Sequence, residues 1–295
     1  MTATTPEGAS HHDAPSLRGR RHRRRWNPNL VAGSVFVGLI VLAAAVSFVW
    51  TPYDPTQVDT SARLVTPSVD HWLGTDKFGR DIFSQLMVGA RTTLFVGVIS
   101  VGLAALAGVP LGIFAGMTSR RWAGEVTMRF NDLLLAFPSL LLAIMLAAIF
   151  GGSTLVAMIA IGIGSIPSFA LLIRGGTMQA MKSEYVLAAR VVGRRPVAIG
   201  VRHILPNVSG LIIVQSSVLF AIAILGEAAL SFLGLGTPPP TPSWGRMLQE
   251  SQTLLWQAPR LAFIPGIAIA LAVLGFNLLG DGLRDIFDPR LEDRR

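Results

Sequence analysis

Six long apolar runs constrain this chain more than any other feature of its sequence. They are Leu30–Trp50, Leu94–Met117, Leu133–Phe150, Leu155–Ile173, Val208–Leu233 and Leu261–Leu279. Each approaches or exceeds the length of helix that crosses about 30 Å of hydrocarbon. Because every backbone polar group must be paired inside lipid, and strand-like alternation is absent, we expect helices. The sequence predicts an all-α integral membrane protein with about six transmembrane helices.

Composition supports the same class. Hydrophobic residues make up 51% of the 295 residues and charged residues only 14%, whereas a soluble domain carries about a quarter of charged residues. The chain has no cysteine. This excludes a disulfide framework, a thiolate zinc site and a cysteine nucleophile.

The basic residues predict the orientation of the helices. With the N-terminus inside, 19 of the 25 Lys and Arg residues fall in cytoplasmic segments, and such a bias sets membrane topology. We therefore expect both termini in the cytoplasm. The predicted segments are a disordered basic tail (1–29), the first transmembrane helix (30–50), an extracytoplasmic segment (51–93), a transmembrane domain (94–284) with a cytoplasmic loop at 182–207, and a cytoplasmic C-terminal tail (285–295).

The N-terminal tail contains the basic run Arg18–Arg25. Such a run is found in nucleic-acid-binding arms, but this one directly precedes an apolar run. That position favours a topology signal attracted to anionic lipid, and we expect no nucleic-acid partner. The following run is too long for the apolar region of a signal peptide, although Ala43–Ala45 offers a cleavage-like site, so an uncleaved helix is favoured.

A few residues inside the predicted spans are candidates for function. Glu227 is the only ionisable residue there, and such residues are costly in hydrocarbon. A gating or pathway role and a structural hydrogen bond are both open for it. Asn277 is a second candidate, near the inner end of the last span with Asp281.

Glycine and proline predict the packing and bending of the spans. Gly108, Gly112 and Gly116 share one helix face, which allows close packing within the chain or against a partner subunit. Prolines within spans are expected to kink their helices. They are Pro110, Pro138, Pro167 and Pro265.

The sequence contains little that would support an enzymatic function. The stretch Gly176–Ser183 approaches a phosphate-binding loop, but Met181 stands where the second glycine must be. Asp76 and Asp81, with Arg80 beside them, are typical of a salt-bridged helix start rather than an acid–base pair. Histidine spacing indicates no metal site. We therefore expect no catalytic residue, metal or cofactor in this chain.

Residues 183–207 predict a helix that begins near Ser183 and ends near Pro196. Tyr185, Ala189 and Gly193 fall on one small face, which Ala188 widens. The segment resembles the EAA loop of ABC importer permeases, the cytoplasmic helix pair that docks on the ATPase, although Leu187 and His203 depart from that pattern. The resemblance implies an ATPase-coupling role for Glu184, Tyr185, Ala188, Ala189, Gly193, Arg194 and Arg195.

Three further motifs resemble dipeptide/oligopeptide/nickel permeases, most of all the second permease subunit. The first lies in the predicted extracytoplasmic segment, where the signature residues are Gly74, Thr75, Asp76, Gly79, Arg80 and Asp81. The others are Glu227–Gly236 with Pro242–Gly245, and Asn277–Asp285 with Asp288–Arg290.

The resemblance implies the fold of a type I ABC importer permease in a bacterial cytoplasmic membrane, with a pore shared with a paralogous permease. It implies two ATPase subunits that bind ATP and Mg²⁺, an extracytoplasmic substrate-binding protein, and import of dipeptides or oligopeptides. An ATP-independent secondary transporter is the main alternative, but it predicts a coupling-ion site and often internal repeats, which the sequence lacks. A membrane-embedded hydrolase is a more distant alternative.

Overall fold

A computed structural model describes residues 27–118 and 121–287 of the chain. Regular secondary structure in these ranges is helical, as the sequence predicts. The helices are α1 Pro28–Ser47, α2 Ile82–Met117, α3 Arg121–Ala136, α4 Ser139–Phe150, α5 Thr154–Ala180, α6 Glu184–Val191, α7 Pro196–Ile199, α8 Leu205–Phe232, α9 Trp244–Ser251 and α10 Arg260–Phe287. A π-helical turn, Gly200–Ile204, joins α7 to α8. Most of the predicted N-terminal tail, the predicted C-terminal tail beyond Phe287 and the motif at Asp288–Arg290 lie outside the described residues.

Five helical stretches in the described ranges are long and apolar enough to cross a membrane. They are α1, α2, α5, the continuous stretch Pro196–Phe232, and α10. The pair α3–α4 supplies a sixth span if its two helices are taken together. The prediction of about six transmembrane helices is confirmed.

The third span departs from its predicted form. The sequence predicts that the run Leu133–Phe150 is one span kinked at Pro138. The kink is confirmed, but it is a full break: α3 ends at Ala136, α4 begins at Ser139, and the two helices meet at a bend of 78°. Pro138 lies at the bend. Proline disfavours helical backbone at the residue before it, and this explains why the helix stops at this point.

The second span begins earlier than predicted. Helix α2 starts at Ile82 rather than Leu94 and has 36 residues, so it is about 54 Å long. Polar side chains before Leu94 hide this extension from a search for apolar runs, but two of them form hydrogen bonds within the protein. Gln85 Nε2 donates to Asp76 Oδ2 over 3.1 Å, and Arg91 Nε donates to Ser47 Oγ over 3.2 Å.

Helix α2 lies at the centre of the bundle and packs along α5. A Cβ on Gly112 would lie 2.7 Å from the carbonyl oxygen of Ala170 and 2.9 Å from Cβ of Ile173. Gly108 and Gly116 approach Phe169 and Thr177 in the same way. The three glycines therefore serve close packing within the chain, the first of the two interpretations.

Three groups of buried apolar residues hold the other helices to this pair. One joins α1, α2, α8, α9 and α10, and contains Trp244 and Phe276. A second joins α2, α5, α6 and α8 around Phe169 and Ile173. The third joins α2, α4, α5 and α8. In consequence the loop between α1 and α2 and the connection from α8 to α10 lie together at one end of the bundle.

Candidate functional site

The loop between α1 and α2, residues 48–81, contains the first motif, and we refer to it as the first loop. Gly74 and Gly79 have φ angles of 79° and 78°, a region that favours glycine. They reverse the chain so that Thr75 and Asp81 form an antiparallel bridge. Asp76 Oδ1 accepts hydrogen bonds from the amides of Phe78 at 2.7 Å and Arg80 at 3.0 Å. The motif therefore forms a tight, self-bonded turn.

Arg80 joins this turn to α9. Its Nε donates to Asp76 Oδ2 over 2.7 Å, and its second terminal nitrogen pairs with Glu250. Glu250 also pairs with Arg246, one helical turn away, over 2.9 Å. The side chains of this four-residue cluster are largely buried, so the charges face each other rather than water. We call Asp76, Arg80, Arg246 and Glu250 the ion cluster.

Asp81 caps the start of α2. Its Oδ2 accepts from the amide and the hydroxyl of Ser84, both at 2.8 Å, as a helix N-cap does. Its other oxygen lies 3.0 Å from His71 Nδ1. Together with the ion pair of Asp76 and Arg80, this forms the salt-bridged helix start that the sequence predicts.

Two exposed turns order the rest of the first loop. Hydrogen bonds from the hydroxyl and amide of Thr56 hold the pKa of Asp54 below its ordinary value. The hydroxyl and amide of Ser61 lower the pKa of Asp59 in the same way. A lowered pKa means that these bonds are complete above the ordinary carboxylate range and weaken as the pH falls below it. The turns are therefore fully formed at neutral pH.

Glu227 lies on α8 and is only 1% exposed. Its Oε1 accepts hydrogen bonds from the hydroxyls of Ser231 at 2.6 Å and Thr237 at 3.3 Å. The amide of Thr237 in turn donates to Ser231 Oγ over 2.9 Å. The carboxyl group thus ties the end of α8 to the connection that follows it. This geometry favours the structural hydrogen bond over the pathway role.

Asn277 and Asp281 both lie on the exposed side of α10. Within the described ranges, neither side chain bonds to the backbone or to the basic segment. Asp285, one turn further, accepts from Asn27 Nδ2 over 2.6 Å, so α1 and α10 meet at this end.

Helix α6 and the residues after it form the segment expected to dock on an ATPase. The helix ends at Val191, short of the predicted end near Pro196. Gly193, with φ of 77°, terminates it: its amide donates to the carbonyl of Arg190 over 2.9 Å, and that of Arg194 to the carbonyl of Ala189 over 3.1 Å. This is the Schellman arrangement, which requires a residue with positive φ.

The structure corrects one member of the expected docking face. Ala189 is only 9% exposed and packs with Val186 into the chain's own core, because these two residues are one helical turn apart on the inner side of α6. The exposed residues on and beside α6 are Glu184, Tyr185, Leu187, Ala188, Arg190, Val191, Val192, Gly193, Arg194 and Arg195.

Sequence reasoning missed Arg246, Glu250 and Gln85, which complete the ion cluster and its surroundings. The sequence did contain a signal for α9, because serine is a preferred N-cap residue. In the structure Ser243 Oγ accepts a hydrogen bond from the amide of Arg246 over 3.2 Å. The stretch that approached a phosphate-binding loop is the last turn of α5 up to Ala180, and a helix cannot wrap a phosphate. In the described ranges, no group of three or more His, Cys, Asp or Glu residues could hold a metal ion.

The chain matches a family of membrane proteins over most of this bundle. The family described as "Binding-protein-dependent transport system inner membrane component" matches residues 108–293.

Curated relatives extend the match to almost the whole chain. The dipeptide transport system permease protein DppC of Alkalihalophilus pseudofirmus is 42% identical over 90% of this chain and 87% of its own length. The glutathione transport system permease protein GsiD of Pectobacterium atrosepticum is 43% identical over 89% and 87%. The di/tripeptide permease DppC of Pseudomonas aeruginosa is 40% identical over 90% of each chain.

A solved structure supports the fold. A chain of the methionine ABC transporter MetNI in an inward-facing conformation superposes with a TM-score of 0.58 and 15% identity, covering 69% of this chain and 96% of that one. The likeness supports the type I permease fold expected from the sequence.

Proposed function

This chain belongs to the family of binding-protein-dependent transport system inner membrane components, and from that premise we propose that it imports peptides with a paralogous permease. It is a permease component of an ABC importer and a multi-pass protein of the bacterial inner membrane. The relatives named for dipeptides, di/tripeptides and glutathione support a short peptide as the substrate. A binding protein outside the membrane would deliver it.

In this proposal two ATPase subunits bind ATP and Mg²⁺ and dock on the α6 segment. The observation that carries this step is the exposure of Val191 and Val192 beside Arg194 and Arg195. Exposed apolar residues next to charged ones are typical of protein interfaces. Since these residues lie between the spans α5 and α8, the segment protrudes from the membrane on one side.

The test uses Ala188, which is exposed on α6. The chain is co-expressed with its partner permease and ATPases, and the amount of ATPase that copurifies is measured together with ATP hydrolysis. We expect Ala188→Arg to abolish both, because a long charged side chain holds the ATPase away from the helix. The matched control Ala188→Ser keeps a small side chain and should retain both. Normal copurification and hydrolysis with Ala188→Arg would show that the docking site lies elsewhere.

The break between α3 and α4 supports a place on the transport pathway. Phe137, Pro138 and Ser139 at the break are exposed in this chain. Interrupted helices are tolerated at membrane depth only where they are buried in protein or line a water-filled cavity. The charged residues Arg129 and Asp132 on α3 are exposed as well, which favours water. We therefore place the break on the water-filled path between the two permeases.

An ATP-independent secondary transporter, the alternative from sequence, loses its main support. It would centre on Glu227, whose carboxyl group is held by Ser231 and Thr237. Family membership favours the ATP-driven importer.

A further inference from the structure

A cleft of about 780 Å³ lies between α1, α2 and the start of α5. The body of the cleft is apolar and is lined by Val41, Ala45, Phe95, Val98, Leu155 and Met158. Four polar residues also line it: Arg91, Thr92, Thr154 and Thr241. A volume between about 300 and 1,000 Å³ is that of sites for small organic ligands.

The polar residues share one end of the cleft. Arg91 and Thr92 precede the apolar run of α2, Thr154 is the first residue of α5, and α1 ends at Ser47. A charged arginine at the limit of an apolar run extends to the level of the lipid headgroups. The apolar body, which continues along α2 to Val98, therefore lies at the depth of the acyl chains.

Arg91 is fixed at the mouth of the cleft. Its guanidinium lies 3.8 Å from the ring centre of Phe48, and its Nε and one terminal nitrogen donate to Ser47. The other terminal nitrogen has no partner among the described residues. A rigid guanidinium with a free edge is well suited to hold a phosphate oxygen.

We propose that this cleft binds one membrane phospholipid, a role that goes beyond the transport function. The phosphate lies on the free edge of the Arg91 guanidinium, and an acyl chain runs along Phe95 and Val98. The charge of Arg91 at one end and the apolar lining below it match the two parts of a phospholipid. A soluble anion would use only the polar end.

The test measures lipid bound to the purified transporter complex by native mass spectrometry, with phosphatidylglycerol added in increasing amounts. We expect Ala45→Trp to abolish binding, because the indole fills the cleft. Arg91→Gln should weaken binding about tenfold, since it removes a charged contact to the phosphate. The matched control is Val46→Trp, which adds the same side chain at the next residue, outside the cleft lining.

Two results would overturn the proposal. One is equal lipid binding by Ala45→Trp and Val46→Trp. This comparison does not use the Arg91 variant, so it remains valid even if Arg91→Gln fails to fold. The other comes from a photoreactive benzoylphenylalanine at position 98. Crosslinks to phospholipid are expected, whereas crosslinks to the partner permease would make the cleft a protein interface.

Discussion

At the scale of single residues, Arg80 has the largest predicted effect on stability. Its side chain is the cation between Asp76 and Glu250. Arg80→Ala removes the ion-pair partner of mostly buried Asp76 and one of the two partners of Glu250, which costs about 3 kcal/mol or more. We expect a clear fall in the thermal unfolding temperature of the purified protein. Arg63→Ala is the control, because exposed Arg63 in the same loop bonds only to the carbonyl of Lys77. Equal effects of both changes would mean that the ion cluster adds no stability.

Glu227 can be tested by separating its hydrogen bonds from its charge. The side-chain oxygen of Glu227→Gln can accept from Ser231 and Thr237 as the carboxyl group does. We therefore expect near-normal stability and transport for Glu227→Gln. Glu227→Ala leaves both hydroxyls without this acceptor and should cost about 1–3 kcal/mol. Loss of transport by Glu227→Gln in a stable protein would instead favour the pathway role.

Only part of the ion cluster could be predicted from the sequence. Asp76 and Arg80 are only four positions apart in the sequence, so their pairing could be predicted from spacing alone. Glu250 lies 170 residues from Arg80, and only the packing of α9 beside the first loop brings them together. The inward position of Ala189 was missed for a related reason, because the residues of α6 that pack inward depend on α2 and α5.

At the scale of elements, the break between α3 and α4 carries a direct prediction. The chain has no cysteine, so a single introduced cysteine reports its own surroundings. In membranes containing the assembled transporter, Ser139→Cys should react with a charged, water-soluble maleimide because it faces the pathway. Leu39→Cys, exposed in the apolar middle of α1, should stay unlabelled. An unreactive Ser139→Cys would remove the break from the water-filled path.

Packing decides which prolines break a helix. Pro167 and Pro265 are buried inside α5 and α10, and Pro110 lies between glycines of α2 that pack on α5. Pro138 is exposed together with Phe137 and Ser139, and the helix is interrupted there. The sequence supplied the position of each proline, but the packing that preserves three of these helices is a tertiary property.

At the scale of the whole molecule, orientation is the prediction on which the assembly rests. The bias of Lys and Arg predicts that the first loop lies outside the cell and the α6 segment in the cytoplasm. Both must hold for a binding protein and an ATPase to reach opposite sides of the same chain. The fold itself fits either orientation, because the helices pack in the same way in both.

The orientation can be tested by cysteine labelling at two residues of similar exposure. Val69 in the first loop is 91% exposed and Val191 at the end of α6 is 87% exposed. In intact cells, a membrane-impermeant maleimide should label Val69→Cys and leave Val191→Cys unlabelled. After permeabilisation both should react, which controls for the reactivity of each site. Because the two side chains are almost equally open to solvent, a difference in intact cells reflects the membrane alone. The opposite pattern would place α6 outside the cell, where no ATPase could dock.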